Sequence, residues 1–122
     1  THPVHVYDIA GNEIGLISQR LFAFLPTFDI SVGGRPCGSI RKEFTFFKPS
    51  YSIEYGGWQC DGDFLSWNYS VTAGSRLVAN IAKQLLSWGD TYTLDISDPG
   101  DEIMALMLVI AIDAANCSQN NN

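Results

Sequence analysis

Histidine is nearly missing from this chain: His2 and His5, both among the first five of 122 residues, are all it has. Catalysis by a serine or cysteine nucleophile needs a base beside it and an acid to orient that base. A central triad is therefore all but excluded, leaving only a Cys–His pair through His5. Cysteine is also scarce. Cys37, Cys60 and Cys117 are odd in number, with no CxxC and no paired histidine spacing, so neither a disulfide framework nor a zinc site is predicted and a reducing cytoplasm is the expected setting. Basic residues number seven against thirteen acids, a net charge of −6. That balance repels a phosphate backbone and excludes a general nucleic-acid binder. Thr1 to Asp8 lack a basic stretch leading into an apolar one, so no secretory signal is expected. The longest uncharged apolar run, Ile103–Ile112, would rise roughly 15 Å as a helix, about half a bilayer core.

What the chain does have is apolar material, 46% hydrophobic and 12% aromatic residues. That suffices for one core and not for two. A single domain over residues 1–117 with a polar tail at 118–122 is predicted.

Three segments repeat without gaps: Ile17–Ile30 (ISQRLFAFLPTFDI), Ile40–Ile53 (IRKEFTFFKPSYSI) and Ile81–Leu94 (IAKQLLSWGDTYTL). Each opens on Ile, passes through polar residues to an apolar one (Leu21, Phe44, Leu85) and then to an aromatic (Phe24, Phe47, Trp88). A turn pair follows, then Thr or Ser and another aromatic. The second halves alternate, as in Phe28-Ile30-Val32, Tyr51-Ile53-Tyr55 and Tyr92-Leu94-Ile96, the pattern of strands with one buried face. Leu65-Trp67-Tyr69-Val71, Leu77-Ala79-Ile81 and Val4-Val6 extend the set. Between them stand Ala10-Gly11-Asn12, Gly33-Gly34-Arg35-Pro36, Gly56-Gly57, Asp61-Gly62-Asp63 and Ala73-Gly74-Ser75, residues that preset turns or tolerate positive φ. Pro26, Pro49 and Gly89 share a place in the repeats where bulges or corners are expected.

The period changes at Asp98-Pro99-Gly100-Asp101-Glu102. Asp98 can cap, Pro99 suits the first helical position, and the acids complement the helix dipole. From Ile103 the residues are apolar on every side, so this helix must be enclosed. The predicted fold is mainly β: an antiparallel barrel of repeated hairpins around a buried hydrophobic C-terminal α-helix.

The stretches GNEIGLISQRLFAFLPTFDI, IRKEFTFFKPSYSIE, WQCDGDF, SWGDTYTLDI and DEIMALMLVIAID resemble the LURP-one-related family, whose members share the tubby C-terminal-like barrel and are related in shape to phospholipid scramblases. The resemblance covers nearly the whole chain. It departs at the front, where the family's first strands, before a segment like Val6-Tyr7-Asp8, are missing; open edges and a homo-oligomer are the expected result. The resemblance implies a cytoplasmic, non-catalytic binding or scaffold domain without a cofactor, its partner a protein or small molecule of unknown identity.

Tubby domains proper bind phosphoinositides through basic residues on the barrel wall, which makes a lipid-headgroup module the alternative reading. Its candidates here are Arg41, Lys42 and Lys48, with Arg20 and Arg35 more distant. Adjacent strand residues point to opposite faces, so Arg41 and Lys42 cannot converge from a regular strand, and Glu43 sits beside them. Solvated barrel wall is the favoured reading, and attachment to a membrane surface is not expected. The acids from Asp61 to Glu102 read as turns and a helix start rather than a calcium loop. Phe22, Phe24, Phe44, Phe46, Phe47, Trp58, Trp67 and Trp88 are expected to pack against the central helix, with one of the Phe46-Phe47 pair exposed.

Overall fold

The computed structural model of the chain describes residues 3–43, 50–63, 68–86 and 89–120. Strands β1 (Val4–Tyr7), β2 (Glu13–Gln19), β3 (Thr27–Val32), β4 (Arg35–Glu43) and β5 (Ser50–Tyr55) form one antiparallel meander. A second meander contains β6 (Gln59–Asp63), β7 (Asn68–Ala73), β8 (Arg76–Leu86) and β9 (Gly89–Ile96). Helix α1 (Glu102–Asn120) ends the described chain. No described helix is long and apolar enough to cross a membrane.

The three repeats are three hairpins. Ile17 pairs with Ile30, Ile40 with Ile53 and Ile81 with Leu94, so the first and last residues of each repeat meet across the ladder. Ile17, Ile30, Ile40 and Ile81 are all buried. Burying a side chain of this size contributes about 1.5–3 kcal/mol, which is why register cannot slip by one residue without turning the apolar set outward. The expected turns at Gly33-Gly34 and Gly56-Gly57 have φ of 58° and 81°, and of 60° and 72°, the paired positive values that a two-residue hairpin demands. The Gly56-Gly57 turn carries the chain from one sheet to the other beneath a Tyr55–Trp58 bridge. Asp61-Gly62-Asp63, expected as a turn, lies instead inside β6, where Cys60 pairs with Val71 and Gly62 with Tyr69; the apolar pairing of the strand overrides its local turn chemistry. The Leu65-Trp67 part of the expected strand lies outside the described residues.

Pro26 lies in the β2–β3 connection and Gly89 opens β9 with φ of 143°, while Pro49 lies outside the described residues; the register shifts fall elsewhere, one of them between Val6 and Tyr7. The ladder skips a residue at Cys37, between the pairs Ile30–Gly38 and Ser31–Pro36. It skips again at Val78, between Val71–Ala79 and Thr72–Leu77. An extra residue resets the alternation. Val78 is therefore buried beside Ala79, and Leu77, expected inward, is exposed. At the Cys37 bulge, a side chain on Gly38 would collide with the Glu54 carbonyl. These two bulges are equivalent: β3–β5 map onto β7–β9 at one constant offset, pairing Phe28 with Tyr69, Ile30 with Val71, Gly33 with Gly74, Ile40 with Ile81 and Tyr51 with Tyr92. Each sheet thus contains one copy of a three-stranded plan, to which the first adds β1 and β2 and the second adds β6.

Helix α1 starts as the sequence predicts. The Asp98 carboxylate accepts a bond from the Gly100 amide at 2.9 Å, Pro99 opens a 3₁₀ turn (Pro99–Asp101), and α1 follows. Nothing in Cys117–Asn120 supplies the Gly or Pro that commonly ends a helix, and the helix continues to Asn120, through residues expected as tail. Ala105, Met107, Leu108, Val109, Ala111, Ile112 and Ala115 are buried in a single core with residues of both sheets. β2 admits the helix at Gly15, where any Cβ would run into the Met107 thioether. Enclosure is incomplete. Ile103 is 45% exposed and Leu106 and Ile110 are half-buried, a stripe at helical spacing that leaves a groove of about 280 Å³ against Leu94 and Ile96.

This contrast generates a prediction. Met107→Asp places an unpaired charge in a fully buried position, a penalty of several kcal/mol against a total stability of roughly 5–15 kcal/mol, and the variant is expected to be insoluble or unfolded. Leu106→Asp reaches the open groove and is expected to fold with a lowered melting temperature, as circular dichroism would show.

Candidate functional site

The basic residues are distributed by strand alternation. Ile40 faces the core, so Arg41 faces out and Lys42 faces in. On the outer face of the first sheet Arg41 lies with Arg20, which the sequence placed at a distance. The two line a recess of about 110 Å³ together with Thr27, Ser39, Ser52 and Glu54. Each guanidinium has a carboxylate. Arg20 grips Asp29 with Nη2 and Nε at 2.6 and 3.2 Å, the bidentate geometry that arginine favours, and Asp29 raises the arginine's pKa. Arg41 holds one Glu43 oxygen through Nη2 and Nε at 2.9 and 3.1 Å.

Lys42 is half-buried, and desolvation draws its ammonium below the usual lysine value. It pairs across the ladder with Tyr51, whose phenol burial pushes up to about 12. Lys48 lies outside the described residues. Of the sequence candidates, then, Arg41 gains Arg20 as a neighbour and Lys42 is turned away. Arg76, at the far end of the molecule, pairs with Asp101 at 3.0 Å. His5, expected in a loose terminus, stands in β1, paired with Glu13 and stacked on Tyr7.

A second centre was not singled out from the sequence. Asp113, the one charge on α1 after Glu102, accepts from Lys83 Nζ at 3.1 Å and from the Tyr92 hydroxyl at 2.5 Å, and Lys83 stands 5.1 Å from the Tyr92 ring centre. The Lys83 side chain is 6% exposed. Tyr69 borders this centre, its phenol pushed up first by burial and then by Cys60, Asp113 and Tyr51. Two signals were available. Asp113 is the one charge between Ile103 and Ala115, and Lys83 is two residues from Ile81, hence on the same inward face. At the other end of α1, Tyr55 donates to the Met104 carbonyl at 2.8 Å, and burial raises its pKa.

The connection between β2 and β3 carries the aromatics that were expected inside. Leu21, Phe22 and Phe24 are 69%, 103% and 91% exposed. A recess of about 370 Å³ lies under them and shares Arg20, Thr27 and Arg41 with the first. Phe44, Phe46, Phe47, Trp67 and Trp88 lie outside the described residues, while Trp58 packs as expected, edge-on to Tyr55 at 5.7 Å.

The profile of the LURP-one-related family matches residues 1–113. The chain belongs to that family. It is 33% identical over 106 residues to the uncharacterized protein YxjI of Bacillus subtilis strain 168, an alignment covering 87% of this chain and 65% of that protein. The chain thus spans just under two thirds of the length of this relative. No solved structure gives a significant match.

Two predictions come from the buried groups. Asp113→Leu removes the carboxylate held by the enclosed Lys83 ammonium and is expected to destabilise by about 3 kcal/mol, with Lys83→Met in the same chain restoring most of the loss; urea unfolding of both variants checks it. Tyr51, Tyr55 and Tyr69 all have folded pKa values above the phenol value of about 10. Above that pH the unfolded state holds fewer protons than the folded one, so stability is full below pH 10 and falls as pH rises through it. Melting temperature is expected to be level up to about pH 10 and to drop steeply beyond.

Proposed function

We propose that this chain is a non-catalytic binding domain of the cytoplasm, its two sheets wrapped about α1 as a tubby-like barrel, and that its ligand enters the recess between Arg20 and Arg41. The wrapping is supported by one core shared by both sheets and the helix. The absence of catalysis is supported by the employment of the enclosed Lys83–Asp113–Tyr92 centre in holding the helix. The binding reading rests on one observation: two guanidiniums and the hydroxyl residues Thr27, Ser39 and Ser52 converge on an open recess supported by rigid strands.

Each guanidinium has five N–H donors, of which its carboxylate takes two, so both can bind a further acceptor. Glu54 at the edge suits a ligand that also donates. The class this selects is a small molecule or peptide bearing a carboxylate or phosphate beside a hydroxyl or amine. The headgroup reading is the weaker one, because Lys42 faces the core and the carboxylates of Asp29 and Glu43 cancel the charge of the arginines.

A ligand bound only by the folded state raises the melting temperature. Citrate, glutamate and inorganic phosphate at millimolar concentration are the probes. At least one is expected to raise the melting temperature of the natural chain and to leave an Arg20→Gln/Arg41→Gln variant unmoved; a flat response to all three overturns the reading.

A further inference from the structure

The connection Arg20–Pro26 is clamped at its base. The Arg20 amide donates to the Thr27 carbonyl at 2.7 Å, and the Thr27 hydroxyl donates to the Leu25 carbonyl at 2.9 Å. On that rigid base stands an apex that breaks two rules at once. Phe22 has φ of +63°, the only positive value at a non-glycine among the described residues. A bulky side chain rarely tolerates this conformation, which glycine adopts freely. Its ring is then carried fully into water, between the exposed Leu21 and Phe24. The other exposed large apolar residues, Tyr7, Ile9, Leu77 and Ile103, do not form such a run. Backbone strain at a ring left fully exposed points to a function outside the chain, and clustered apolar exposure marks an interaction surface.

The size of the apex selects the occupant. Side chains of this kind bury about 150–250 Å² apiece, on the order of 500 Å² for three, short of the roughly 800 Å² that each partner gives to a stable protein interface. A bilayer needs no complementary shape and no minimum area. We propose that Leu21, Phe22 and Phe24 insert into the interface of a lipid bilayer, held there by apolar burial rather than by charge. Aromatic and leucine side chains suit that depth, and Arg20 and Arg41 at the base reach the headgroup level with their carboxylates already in place, so anionic lipid adds little. This proposal is independent of the ligand recess and survives a flat melting response there.

Sedimentation with phosphatidylcholine vesicles tests it. The natural chain is expected to pellet equally at about 0.15 M and about 0.5 M salt, where charges are screened over a few ångströms, and equally when phosphatidylserine is added. A Leu21→Ser/Phe22→Ser/Phe24→Ser variant with an unchanged melting temperature is expected to lose at least about tenfold in partitioning, some 1.4 kcal/mol. Phe22→Gly is expected to raise the melting temperature while weakening partitioning, a pairing that a purely structural role does not give. Should the triple variant misfold, Phe22→Trp provides the readout, its added fluorescence shifting to the blue with vesicles. The proposal fails if phosphatidylcholine vesicles pellet nothing, if the triple variant pellets undiminished, if binding requires anionic lipid and disappears at high salt, or if the apex instead mediates a dimer that the triple variant dissolves.

Discussion

A helix with almost no polar face has to be surrounded, and that requirement organises this molecule. Alone in water α1 would gain little from its own hydrogen bonds, so its stability comes from the sheets that lie against it. Each sheet offers an inner face of Ile, Val, Phe or Tyr. Each carries a bulge, at Cys37 and at Val78, where extra twist lets the strands follow a curved surface. Gly15 gives the Met107 side chain room. Apolar contacts resist tilting but leave the helix free to slide, and two polar contacts remove that freedom: Tyr55 on the Met104 carbonyl near one end, and Lys83 with Tyr92 on Asp113 further along. A slip of one turn, about 5.4 Å, would drive Asp113 into apolar surface.

With the inner face committed to the helix, chemistry aimed at other molecules is left to the outer faces and the connections. The alternation that separates Arg41 from Lys42 shows the division in two neighbouring residues. One joins Arg20 at an open recess; the other loses hydration beside Tyr51. Strands of a packed sheet move little, so the recess has a fixed shape, while the β2–β3 connection is clamped where it leaves β2 and enters β3.

Much of this architecture could be read from the residues. The repeats were legible because Ile17, Ile40 and Ile81 and their partners obey period two, and the helix start because Asp98-Pro99 has a local chemistry of its own. The bulges were not: a skipped residue depends on what the neighbouring strand presents, and Leu77 and Val78 are equally apolar in sequence. Asp61-Gly62-Asp63 misled because turn propensity is local, whereas the pairing of Cys60 with Val71 is not. The site was half legible. Arg41 carried its own signal of charge, but Arg20 joins it only through the register of β3 with its two neighbours. The exposure of Phe22 runs against the rule that aromatics pack inside, so composition could not have shown it.

The two equivalent halves share a single helix, and a single helix cannot serve both alike. Lys83 and Tyr92 have their counterparts in Lys42 and Tyr51, yet Asp113 gives its carboxylate to the first pair alone. The symmetry of the sheets is thus broken by what they enclose. One lysine is neutralised and fixed, while its twin keeps a weakened hold on its proton at the same end as the strained phenylalanine loop. One three-stranded plan occurs twice in the chain, and Asp113 of α1 engages the lysine of only one copy.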